Sequence, residues 1–173
     1  MHLTCGSRPP PTANPPTDMS RIDARLKELK IELPEARKPV ANFVPCVQTG
    51  KTVFVSGQVT AWNGEYLHVG KVGREISLEE GQKAARVCAL NILSQARAFL
   101  GDLDRVTRIV MVQGFVNAVP EFTDHPKVIN GASDVLVQIF GDAGRHARFA
   151  LGAGSLPFNV AVEIAAVLEV DGG

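Results

Sequence analysis

The amino-acid sequence predicts an α+β fold in which two helices lie on one face of a β-sheet. β-branched and aromatic runs alternate with helical patterns in the order strand, strand, helix, strand, helix, strand, strand. Ser77-Leu78-Glu79-Glu80 and Gly101-Asp102 supply a helix start and stop around the longest apolar helical stripe. At 173 residues and 45% hydrophobic content, the chain can fill one ordinary core but not comfortably two.

The first sixteen residues hold five of the eleven prolines, with Ser, Thr and Asn between them, and have nothing to bury. Residues 1–18 are therefore expected to be a disordered tail and 19–173 a single domain. Ser20 caps a short amphipathic helix with Ile22, Leu26 and Leu29 on its apolar side. Thr52 to Gly57 reads as a strand, and a second short strand near Tyr66 to Val69 is joined to it through the turn dipeptide Asn63-Gly64. The long helix beginning at Ser77 buries Leu78, Ala85, Ala89, Ile92, Ala96 and Leu100. Arg105 to Val116 is a buried strand and Lys127 to Phe140 a second long helix. Ala147 to Leu151 and Val160 to Val170 complete the sheet.

Eighteen Lys+Arg against eighteen Asp+Glu leave a formal net charge of zero, which argues against a nucleic-acid partner held through its phosphates. Polar residues interrupt every apolar run before it could span a bilayer, and the N-terminus lacks a secretory pattern. Three scattered cysteines form no disulfide framework, and Cys88 reads as a small buried hydrophobe. A soluble, cytoplasmic protein is expected. His2, His68, His125 and His146 lack metal-ligand spacing, so no metal site is expected, and the histidines read as surface or satisfied core residues. Phosphate-loop, dinucleotide, serine-hydrolase and zinc-protease motifs are absent.

The informative place is the last strand, where Glu163 interrupts the apolar run Val162 to Leu168. An ionised carboxylate in a low-dielectric setting needs a cation or donors. If the last two strands form a hairpin about Ser155 and Leu156, Arg148 stands across from Glu163. Two readings follow. The pair is a structural ion pair, or Arg148 offers its planar fork to the carboxylate of a small metabolite.

Gly50 with Val53-Phe54-Val55-Ser56-Gly57-Gln58, then Leu90-Asn91-Ile92-Leu93, then Ala147-Arg148, Leu156-Pro157 and Val162-Glu163-Ile164, in this order and spacing, resemble the Rid family (RidA/YjgF, reactive intermediate deaminases, also labelled L-PSP endoribonuclease-like). Lys127 to Asp134 resembles a divergent branch of it. The resemblance implies a chorismate-mutase-like fold, a homotrimer with clefts between subunits, and hydrolysis of enamines or imines such as 2-aminoacrylate to 2-oxoacids and ammonia without any cofactor. It also implies that Arg148 holds the substrate carboxylate and that Glu163 stands near the attacking water. Ser56 and Gly57 would supply cleft backbone, and Asn130 would correspond to a cleft asparagine. Departures are Asn42-Phe43-Val44 where Pro-Tyr-Ser is usual, which leaves Phe43 as an aromatic wall without a hydroxyl, and Phe149 and Ala150 after the arginine. The alternatives are a non-catalytic trimeric protein that binds small carboxylates or is regulatory and, third, an endoribonuclease; the basic cluster Arg145, His146, Arg148 gives the last little support.

Overall fold

The computed structural model describes residues 19–39 and 41–172, so the expected tail, 1–18, lies outside the described residues. Its elements are α1 (Arg21–Glu28), β1 (Cys46–Thr49), β2 (Thr52–Val59), β3 (Ala61–Trp62), β4 (Glu65–Tyr66), α2 (Leu78–Leu100), β5 (Val106–Asn117), α3 (His125–Phe140), β6 (Ala147–Ala153) and β7 (Val162–Val170). Five strands form one mixed sheet in the order β1-β2-β7-β5-β6, and β3 with β4 forms a small separate hairpin. The α+β fold is thus as expected, with two long helices against the sheet and the short α1 packed at the α3 end.

Local chemistry explains most of these elements. The Ser77 hydroxyl accepts from the Glu80 N–H at 3.1 Å, and Gly101, with φ +84°, closes α2 by donating to the Arg97 carbonyl. In α1, Ser20 accepts from the Asp23 N–H, while Asp104 takes the Arg21 and Ile22 N–H groups at 2.7 and 2.8 Å. On the inner face of the sheet, Val53, Val112, Val116, Ile164 and Leu168 alternate with outward residues and are fully buried beneath α2 and α3. The two helices approach closely enough that a Cβ at Gly131 of α3 would collide with backbone of Gln82. A larger residue there would force the layer apart.

Several boundaries differ from expectation. α3 begins at His125 rather than Lys127, because Pro126 in a first turn forfeits no helical hydrogen bond. The strand expected at Tyr66 to Val69 is the two-residue β4. Asn63 and Gly64, with φ +46° and +99°, make the tight turn before it, and His68 then bends away at φ +50°. β1, unforeseen, pairs antiparallel with β2.

The larger correction concerns the end of the chain. β6 and β7 are not a hairpin: β6 lies parallel to β5 at the sheet edge, and β7 sits between β2 and β5, antiparallel to both. A strand that returns through a crossover helix, as β6 does through α3, pairs parallel with the strand before that helix. β7, the more apolar strand, takes the position with two neighbours.

Candidate functional site

A cavity of about 270 Å³ opens beside β7 and β2. Its lining brings together four of the residues singled out from sequence: Phe43, Ser56, Gly57 and Glu163. The geometry depends on an irregularity in β2. Val55 pairs with Ala166 and Gln58 with Ile164, so Ser56 and Gly57 together oppose one residue of β7. This is a β-bulge, which bends the strand and re-aims its groups. The Ser56 N–H donates to the Pro45 carbonyl at 2.9 Å, tying the bulge to the segment that carries Phe43. Gly57 is required by close approach: a Cβ there would lie 3.1 Å from Glu163 Cδ and would run into Oε1. The carboxylate therefore lies against bare backbone at the cavity wall.

Glu163 is half-buried, and burial alone pushes its carboxyl above the ordinary value of 4.5, with no neighbouring charge contributing. Other cavity residues escaped the sequence reading. Arg37, Tyr66 and Phe158 line it too. The rings of Tyr66 and Phe158 stack at 4.3 Å between centroids, and the Arg37 guanidinium lies 5.1 Å from the Tyr66 ring centre. Tyr66, the only tyrosine in the sequence, supplies a hydroxyl to a cavity in which Phe43 has none. Phe158 holds a left-handed conformation, φ +56°, rare for an aromatic residue.

Arg148 is elsewhere. It partners Val112, whose side chain points inward under the helices, whereas Glu163 partners Phe115 on the other side of the sheet. In one chain the two residues therefore occupy opposite faces, and the intramolecular ion pair is excluded by register. Arg148 Nη1 donates to Asn130 Oδ1 at 2.9 Å and to Ser133 Oγ at 3.0 Å. Nε and Nη2 have no protein acceptor among the described residues. The candidate residues thus form two groups, Arg148 with Asn130 on α3's side and Phe43, Ser56, Gly57 and Glu163 at the cavity.

His146 is half-buried with both ring nitrogens partnered, Nδ1 to the Gly144 carbonyl at 2.7 Å and Nε2 to Ser133 Oγ at 3.0 Å. Burial, assisted by Arg148, lowers its pKa against the opposing effect of the Gly144 hydrogen bond. Cys88 is fully buried and gives its thiol hydrogen to the Val162 carbonyl; burial first, then the charge of Glu163, push it well up, so it remains a thiol. Among the described residues no cluster of three His, Cys, Asp or Glu is placed to hold a metal ion, and no helix is long and apolar enough to cross a membrane.

Fold and cavity define a chorismate-mutase-like protein with a concave site beside its central strand. Residues 23–169 match the family described as "YjgF/chorismate mutase-like, putative endoribonuclease", and the chain belongs to this YjgF/Rid family. Among its relatives is protein TCP17 of Trypanosoma cruzi, 45% identical over 152 residues, covering 87% of this chain and 95% of that one. The crystal structure of Atu1372 from Agrobacterium tumefaciens, described as of unknown function, superposes with a TM-score of 0.82 at 46% identity over 87% of this chain and 93% of that one. A Shewanella oneidensis MR-1 structure, described as a putative endoribonuclease, gives a TM-score of 0.83 at 32% identity over 86% and 99%.

Proposed function

We propose that the protein is a Rid-type deaminase that hydrolyses small imino acids, or the enamines in equilibrium with them, to 2-oxoacids and ammonia. The observation that carries this reading is the separation of Glu163 and Arg148 onto opposite faces of one sheet, each with unfilled capacity. Only a neighbouring subunit can bring an Arg148 to a cavity containing Glu163. A homotrimer with three inter-subunit clefts supplies that arrangement. The outer face of the sheet supports it, since Phe54 and Leu151 are 48% and 53% exposed there, beside the edge-to-face pair Phe115 and Phe149.

In this reading the neighbouring subunit's Arg148 grips the substrate carboxylate, leaving the imine carbon over Glu163 and the Ser56-Gly57 bulge. Glu163 takes a proton from water as its oxygen attacks the carbon of the protonated imine, whose C=N electron pair passes to nitrogen and leaves a neutral amine. Glu163 then returns its proton to that amine, the C–N bond breaks with loss of ammonia, the hydroxyl proton passes to the departing ammonia as ammonium, and a 2-oxoacid remains. A protonated imine is already electrophilic, so orientation and a proton shuttle at Glu163 meet the chemical demand. No metal or organic cofactor enters these steps.

A non-catalytic carboxylate-binding protein is the second reading, favoured by Phe43 without a hydroxyl. Ammonia release from 2-aminoacrylate generated in situ separates the two. Wild type is expected to release ammonia faster than buffer, Arg148→Ala to lose the excess, and light scattering to give three times the chain mass. Tight binding of 2-oxobutanoate without turnover would instead establish the second reading.

A further inference from the structure

The hydrogen bonds around Arg148 have a direction. A carbonyl only accepts, so at the Gly144 contact His146 Nδ1 carries the proton, and a neutral ring then presents Nε2 as an acceptor. Ser133 must donate to that nitrogen, which leaves its lone pairs for a hydrogen from Arg148 Nη1. Asn130 Oδ1 accepts the other Nη1 hydrogen. The chain of donors thus runs from Arg148 to Ser133 to His146 to Gly144, and both hydrogens of Nη1 are committed.

We propose that Ser133 and His146 are positioning residues that lock the Arg148 guanidinium plane, so that its Nε and Nη2 edge faces outward as a fork for the two oxygens of a 2-oxo- or 2-imino-carboxylate. This rests on the reading of Arg148 as the carboxylate grip and adds what fixes its orientation. A guanidinium anchored only by Asn130 could turn about that bond, whereas two acceptors on one nitrogen define its plane. A bidentate pair depends on that plane as well as on charge. His146 acts at one remove: its Nε2 orients the Ser133 hydroxyl hydrogen away from Arg148, leaving the lone pairs turned toward Nη1. Low basicity serves this role, because protonated Nε2 would be a second donor aimed at the same oxygen.

The test compares Ser133→Ala, Ser133→Thr and His146→Ala with wild type, using calorimetric binding of 2-oxobutanoate and steady-state ammonia release. Ser133→Ala is expected to weaken binding and raise KM by about tenfold, the scale of one hydrogen bond to a charged group, while kcat changes by less than about threefold. Ser133→Thr keeps the hydroxyl and restores affinity, and His146→Ala falls between. Wild-type binding with an unaltered Kd in Ser133→Ala, whatever its melting temperature, would overturn the positioning role alone. Absence of both binding and turnover in wild type would overturn this proposal together with the reading beneath it.

Discussion

Gly57→Ala separates the chemistry of the cleft from the stability of the fold. The new methyl would stand 3.1 Å from Glu163 Cδ and 3.3 Å from Cγ, inside ordinary carbon contact. To restore about 3.5 to 4.0 Å, the carboxyl carbon must retreat by at least about 0.4 to 0.9 Å, and Oε1, which the methyl would run into, must move further still. Gly57 does not hold a left-handed φ, so alanine is conformationally admissible. Restricting the unfolded chain favours the variant by about 0.4 to 1 kcal/mol, while an off-rotamer Glu163 costs about 0.5 to 1.5 kcal/mol. Stability should then move by less than about 1 kcal/mol, a change in Tm of about 2 to 4 °C at most for a chain of this size. Activity should respond far more, since a misplacement approaching 1 Å costs up to about 100-fold. Differential scanning fluorimetry beside the ammonia-release assay reads both quantities. A fully active variant with wild-type Tm would refute the role of the Glu163 carboxylate, and a Tm lower by ten degrees or so would refute the idea that it can move aside.

Glu163→Gln should stabilise the protein at pH 7 while abolishing turnover. The folded state raises this carboxyl above 4.5, so its stabilising contribution is complete below that value and declines as pH climbs toward the raised folded pKa; melting curves of wild type and variant should converge below pH 4.5 and diverge above it. Asn117→Ala addresses the support of the cleft. Asn117 is fully buried, accepts from Lys71 Nζ at 2.6 Å, and donates to Asn159 Oδ1 at 3.1 Å and to the Val160 carbonyl at 3.2 Å, so its loss should cost about 2 to 4 kcal/mol in urea unfolding. An unchanged midpoint would mean that water replaces all three partners.

What sequence could report depended on how far apart the interacting residues lie. The Ser77 cap, the Gly101 stop and the Asn63-Gly64 turn act within a few residues, and each stands where their chemistry implies. Strand existence was equally local, whereas strand partnership was not: Gly154 and Pro157 between Ala153 and Val162 suggest a hairpin, yet the segment carries the chain to the middle of the sheet. Arg148 and Glu163 were therefore legible as residues needing partners but not as residues on opposite faces. Phe43, Ser56 with Gly57, and Glu163, far apart in the sequence, line one cavity. Ser133 and His146 had no such signal, because one is on α3 and the other just ahead of β6, and a serine and histidine thirteen positions apart carry no spacing rule.

Opposite-face placement also has a consequence for mixed populations of subunits. In the proposed trimer each cleft draws Glu163 from one chain and Arg148 from its neighbour, so a subunit lacking Arg148 and a subunit lacking Glu163 are damaged in different clefts. Every ring containing both kinds of subunit keeps one cleft in which the two intact residues meet. Equal, random assembly should leave about a quarter of all clefts whole. Two dead proteins, unfolded together and allowed to reassemble, should regain activity that neither possesses, as happens only when a working site is shared between chains.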